Sequence, residues 1–155
     1  HEVRDIVNPK LIPTARHIND FMPIHMYDLL KSAVEEVGKN LKNIQVLVLG
    51  YAYDANSDDD RNTPTVTFIE KLKESGTKYV IHDTFIKEYK GDIRDMLKGK
   101  DAIVLMTGHD EYKKLIYDEM LKLMNKKPII IDGRNIFDKD KSRRKGFIYK
   151  GVGNI

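Results

Sequence analysis

Two short stretches of this chain carry the charges that chemistry needs. The first is the loop Tyr53-Asp54-Ala55-Asn56-Ser57-Asp58-Asp59-Asp60-Arg61, and the second is Asp132-Gly133-Arg134-Asn135. Arginine suits a phosphate because its planar fork makes two parallel charged hydrogen bonds. The acids invite a metal test, since Asp54-x-Asn56-x-Asp58 opens like a calcium loop. That pattern fails at its sixth position, Asp59, where the sharp turn needs glycine, and at its twelfth, Thr65, where a bidentate glutamate is needed. The simpler account has Asp58 to Asp60 accepting backbone N–H groups near a helix N-terminus, where negative charge is favoured. Two further polar residues sit at strand ends. His109 is a candidate general base because imidazole is the side-chain type suited to that role near neutrality, but no nucleophile stands near it in sequence, so loop hydrogen bonding or helix capping is expected. Asp83 is placed where an acid can hold a ribose, yet the chain contains no G-x-G-x-x-G cradle, and a cap serving Thr84 to Lys87 is expected instead.

The elements that must position these residues alternate along the chain. Ile44 to Leu49 is a short apolar run bounded by Asn43 and Gly50, which reads as a strand buried on both faces of a parallel sheet. Thr63 offers a cap hydroxyl and Pro64 a pre-set first turn, so a helix is expected from about Pro64 to Gly76. Tyr79–His82, Ala102–Met106, Ile129–Ile131 and Phe147–Tyr149 read as further strands. Helices are expected around Asp92–Lys98 and over Glu111–Met124, the latter burying Tyr112, Ile116, Met120 and Leu123. Asp138–Lys145 reads as a solvated loop. Before all of these, apolar residues recur at helical spacing from about Pro9 to Val37. Pro13 and Pro23 interrupt that pattern, which predicts two helical pieces with a break near Phe21 and Met22. Strands separated by helices indicate a parallel α/β sheet with helices on both faces, in which ligands sit at the carboxyl ends of strands.

Composition excludes several classes. With 27 basic and 24 acidic residues the formal net charge is +3, too small to imply nucleic acid as a partner. Zero cysteines remove disulfides, thiolate nucleophiles and Cys-based zinc sites. No apolar run approaches the ~20 residues of a membrane helix and no signal-peptide pattern opens the chain, so a soluble cytoplasmic protein without a membrane partner is the expectation. The first residues, His1 to Asn8, lack periodicity and a starting Met, as in a piece cut from a longer chain. A phospho-acceptor receiver domain shares the α/β layout but needs an acidic pair after the first strand, where this chain has Gly50-Tyr51-Ala52.

Gly50, Ala52, Tyr53, Asp58, Asp59, Arg61, Thr63 and Pro64 resemble the segment G-x-A-[FY]-K-x-x-[TS]-D-D-x-R-x-[ST]-P that opens the C-terminal domain of nucleotide-sugar 6-dehydrogenases, the UDP-glucose and UDP-N-acetylmannosamine dehydrogenases. Three more stretches match in order. Leu11-Ile12, Ala15-Arg16, Ile18-Asn19 and Met22-Pro23 resemble the end of that family's central helix, Asp132-x-Arg134-Asn135 its second signature, and Tyr149-x-Gly151-Val152-Gly153 its close. The resemblance implies a Rossmann-like parallel sheet flanked by helices, preceded by a long linker and dimerisation helix. Residues 1–40 would be that helical segment and 41–155 the UDP-binding domain. It implies a UDP-sugar substrate contacted by Tyr53, Asp54 and Arg134, NAD reached by Arg61 from a lobe that mainly binds it elsewhere, and a homodimer. It leans towards UDP-N-acetyl-D-mannosamine over UDP-glucose. The family's lysine after the aromatic is Asp54 here, so one of its phosphate or sugar contacts is missing or replaced. The family oxidises the sugar C6 alcohol to a carboxylate in two hydride transfers, through a thiohemiacetal on a cysteine; with no cysteine, this chain is expected to be inactive alone. The rival reading is a non-catalytic nucleotide-binding or regulatory α/β module that dimerises through its N-terminal helix.

Overall fold

The computed structural model of the chain describes residues 11–153; the readings made at residues 1–10 lie outside them. Five parallel strands form one sheet in the order β2-β1-β3-β4-β5. They are β1 (Gln45–Leu49), β2 (Lys78–His82), β3 (Ala102–Leu105), β4 (Ile129–Asp132) and β5 (Ile148–Gly151). Among the described residues five α-helices accompany them: α1 (Leu11–Glu36), α2 (Thr65–Glu74), α3 (Ile93–Leu97), α4 (Tyr117–Leu123) and α5 (Lys139–Lys145). The expected Rossmann-like α/β architecture is present. Leu49 pairs in register with His82 on one side and Leu105 on the other, and Leu105 with Asp132. Gly50, Asp83, Met106 and Gly133 therefore leave the sheet along a single edge. The strand order reverses between β1 and β3, and such a switch point opens a crevice at the carboxyl ends.

Each central strand is buried on both faces, which is why β1, β3 and β4 read as unbroken apolar runs. Val46, Val48, Val104, Ile129 and Ile131 meet Met26, Leu30 and Val34 of α1 and Phe68 and Leu72 of α2 on one side. Leu47, Leu49, Ile103, Leu105 and Ile130 meet Leu97, Tyr112, Met120, Phe137 and Phe147 on the other. At the amino edge the buried carboxylate of Asp101 accepts from Lys39 Nζ at 2.6 Å and from the Gln45 amide at 2.8 Å, tying the end of the α1 region to the start of β1.

Three expectations are corrected. The break near Phe21 and Met22 does not occur: α1 is one helix of 26 residues with Pro23 inside it. A proline at that position removes an N–H and crowds the carbonyl four residues back. Burial of Met26, Leu29, Leu30, Ala33 and Val34 against the sheet and α2 outweighs this local cost. The charged segment 138–145 is not a loop but a capped helix. Asp138 accepts from the Lys141 amide at 2.7 Å, and Gly146, in the left-handed region at φ 99°, closes the other end. The expected helix from Glu111 to Met124 is split into a 3-10 turn, Asp110–Lys114, and α4. The split leaves Ile116 53% exposed while Tyr112 and Met120 are buried.

Candidate functional site

A cleft of about 500 Å³ opens at the switch point. Its floor is Leu105, Met106 and Gly133 at the ends of β3 and β4. One wall is Asn19, Asp20 and Met26 of α1, and the other is Tyr53, Asp54, Asn62 and Thr63 of the loop after β1. Gly133 fits because nothing larger does: a Cβ there would lie 2.8 Å from the Leu105 carbonyl oxygen and 2.9 Å from the Met26 methyl.

Arg134 is placed by its neighbours. The buried Asp132 carboxylate accepts from the Arg134 amide at 2.9 Å and the Phe137 amide at 2.8 Å, which shapes the turn after β4. The arginine Nε then donates to the Met106 carbonyl at 2.7 Å. Anchored by that one nitrogen, the guanidinium lines the cleft with its two Nη groups bonded to no described residue. It is thus oriented for a forked contact with an anion.

The opposite wall depends on Asp83. This carboxylate is fully buried, and its Oδ2 accepts the amides of Tyr51 at 2.7 Å and Ala52 at 3.0 Å. Its Oδ1 accepts those of Phe85 at 2.8 Å and Ile86 at 3.0 Å. Burial opposes its charge, but hydrogen bonds from His109 and from the Ala52, Ile86 and Tyr51 amides prevail and hold the carboxyl well below the usual carboxylate range. Asp83 therefore caps the turn after β2, as its position suggests, and also grips the loop after β1. Gly50, at φ 88°, lets that loop pass so close to β3 that a Cβ would lie 2.7 Å from the Thr107 nitrogen. The Thr107 hydroxyl in turn donates to the Ala52 carbonyl. Thr63 Oγ1 accepts from the Thr65 amide at 3.2 Å, so the expected cap hydroxyl serves the first turn of α2.

The sequence candidates separate into two groups. Tyr53, Asp54 and Arg134 come together around the cleft. Arg61 does not line it, although Asn62 and Thr63 beside it do. Its side chain is 83% exposed and grips Asp59 through Nε to Oδ1 at 2.8 Å and Nη2 to Oδ2 at 2.7 Å. The Arg61 hydrogen bonds hold the Asp59 carboxyl down to about 2. Among the described residues, no group of three His, Cys, Asp or Glu side chains is placed to hold a metal ion. The loop after β1 does not fit a dinucleotide pyrophosphate either, because the Tyr51 and Ala52 amides that would face it are engaged by Asp83. Sequence reasoning missed Asn19 and Asp20, since a helix expected to break there gives no reason to aim them at the sheet edge. It also missed Asp83 as the anchor of the β1 loop; its position at the tip of β2 was the available signal.

A model of the UDP-glucose/GDP-mannose dehydrogenase family, UDP binding domain, matches residues 47–139. The chain belongs to this dehydrogenase family. The UDP-N-acetyl-D-mannosamine dehydrogenase of Pyrococcus horikoshii is 36% identical over 143 residues, which cover 92% of this chain and 33% of that relative. Among solved structures, the NDP-N-acetyl-D-galactosaminuronic acid dehydrogenase from Methanosarcina mazei superposes with a TM-score of 0.86 at 38% identity, covering 91% of this chain and 31% of that one. The UDP-D-ManNAc dehydrogenase from Pyrococcus horikoshii does so with a TM-score of 0.84 at 35% identity, covering 93% and 34%. This family member thus spans about a third of the length of the relatives it matches. Within the matched span lie the whole β1 loop, Asp83, His109 and Arg134.

Proposed function

We propose that this chain is the UDP-gripping part of an NAD-dependent UDP-N-acetyl-D-mannosamine dehydrogenase that oxidises the sugar C6 alcohol to the uronic acid. The observation that carries the reading is the anchored Arg134 guanidinium in a cleft at the switch point of a parallel sheet. In this reading Arg134 pairs with a diphosphate oxygen and Tyr53, half exposed at the rim, packs against the nucleotide. Asp54 accepts a ribose or sugar hydroxyl where relatives of the usual pattern carry lysine. NAD supplies the hydride acceptor when bound, and it is held outside this chain, with Arg61 reaching its anionic groups. The chain has no cysteine, so the covalent step belongs to residues beyond it and the chain alone reduces no NAD with any UDP-sugar.

The experiment is calorimetric titration of UDP into the chain and into Arg134→Ala. A charged, forked hydrogen bond contributes ~1.5–3 kcal/mol, so affinity should fall by about 10- to 100-fold. Unchanged affinity overturns the assignment. A homodimer through α1 is part of the proposal. Ile18 and Phe21, three residues apart and so on one helix face, are 55% and 49% exposed along the half of the helix that lies off the sheet, and an apolar patch of that kind is stable when covered. Sedimentation of Ile18→Glu against the parent chain decides this point, a monomer in both cases refuting it.

A further inference from the structure

The wall that carries Tyr53 and Asp54 is fixed from below, by residues that do not touch the cleft. His109 is fully buried, with the Phe85 and Tyr112 rings 5.0 and 5.4 Å from its own. Its Nδ1 lies 2.9 Å from the Asn56 amide and its Nε2 lies 3.0 Å from Asp83 Oδ2. The amide has a proton to give and the carboxylate has none. The imidazole therefore carries its proton on Nε2, donating to Asp83, and presents the Nδ1 lone pair to Asn56. Asn56 itself sits at φ 59°, a region that non-glycine residues occupy at a cost. Its side chain closes the same latch from the other side: Nδ2 donates to Asp110 Oδ2 at 2.8 Å, and Oδ1 accepts the Asp110 amide at 3.0 Å. Asp83 Oδ2, bonded to the imidazole, is the oxygen that also holds the Tyr51 and Ala52 amides. One buried imidazole thus connects both ends of the segment 51–56, and Tyr53 and Asp54 lie between those ends.

We propose that His109 is a positioning residue for nucleotide binding. Through the Nδ1 acceptor it holds the β1 loop in the one conformation that brings Tyr53 and Asp54 to the cleft, and it thereby sets the affinity for a nucleoside diphosphate. The inference rests on the nucleotide-binding reading above. Both ring nitrogens are engaged and the ring is out of solvent, so His109 has no proton-transfer role toward a ligand.

Two substitutions separate the acceptor from the bulk of the ring. His109→Asn places its Oδ1 near the former Nδ1 and keeps an acceptor for Asn56. His109→Gln reaches the Nε2 position with its amide, keeping a donor for Asp83 and leaving Asn56 without a partner. UDP is titrated into each variant and amide hydrogen exchange is followed at Tyr51, Ala52 and Asn56. The Gln variant should speed exchange at Asn56 at least tenfold and weaken UDP at least fivefold, while the Asn variant stays within twofold of the parent on both. Equal behaviour of the two variants, or no change in loop exchange in either, overturns the latch. Nitrogen-15 spectra of the unmodified chain give an answer that needs no variant to fold: the neutral tautomer with the proton on Nε2 is expected, and a proton on Nδ1 overturns it. If the parent chain binds no UDP, the nucleotide reading falls, while the exchange rates and the tautomer still decide whether the latch exists.

Discussion

Replacing Asp83 by asparagine changes almost nothing in shape and removes one acceptor from a buried site. In the parent chain four backbone amides and the His109 ring converge on its two oxygens, all at 2.7–3.0 Å. Asparagine keeps one oxygen and turns an NH₂ group toward the other donors, leaving at least two buried amides facing a donor. Each unsatisfied buried group costs ~1–3 kcal/mol, so Asp83→Asn should lose ~2–6 kcal/mol at pH 6. In a chain of this size that is a fall of ~4–24 °C in melting temperature. The dependence on pH distinguishes this account from simple loss of packing. Because the folded carboxyl lies below its ordinary value, the unfolded chain takes up the proton first as pH drops. The charge therefore stabilises fully above about pH 5, and ~1.4 kcal/mol is lost for each pH unit below ~4 until the folded group titrates. The gap between parent and variant should shrink by ~1 kcal/mol between pH 6 and pH 3. Urea denaturation followed by far-ultraviolet circular dichroism at the two pH values measures it. A variant within 0.5 kcal/mol of the parent at pH 6, or a gap that does not narrow at pH 3, refutes the reasoning.

Two glycines in the left-handed region give a matched pair. Gly146→Ala meets open space and should cost only the conformational ~1–2 kcal/mol, whereas Gly50→Ala adds a collision with the Thr107 backbone and should lower the urea midpoint at least twice as far; equal losses would count against the close approach. Pro23→Ala restores an amide to the helix interior. It should raise the melting temperature by the few degrees that ~1 kcal/mol represents, and a lower melting temperature would show that the proline ring itself is needed in the packing. Arg61→Ala removes an exposed ion pair and should leave the denaturation midpoint where it is, with a shift of several degrees contradicting a merely surface role in folding.

The sheet was readable because its strands are runs such as Val46-Leu47-Val48-Leu49 and Ile129-Ile130-Ile131, where burial on both faces leaves no room for polar residues. Arg134 and Tyr53 were findable for a related reason, since both follow directly on such runs and loops at carboxyl ends gather at one edge. The course of α1 was not readable. A proline's local cost is visible in sequence, but the five residues from Met26 to Val34 that overcome it act through a sheet assembled much later in the chain. The helix at Lys139–Lys145 shows no apolar period at all, so hydrophobic patterning passes over it; its signals were the Asp138 cap and the glycine at 146. The latch escaped for a third reason. Asp83, His109 and Asn56 are scattered in sequence, and nothing short of the strand order places β2 and β3 on either side of β1 so that these three meet.

Because α1 crosses Pro23 without interruption, its 26 residues form a rod of about 39 Å, clamped to the sheet along its inner turns only. Any body fixed to the outer turns is consequently geared to the crevice: one residue inserted between Phe21 and Met22 would swing that body by about 100° and shift it by about 1.5 Å. Helix phase, and not hinge compliance, would then dictate what such a body presents to Arg134.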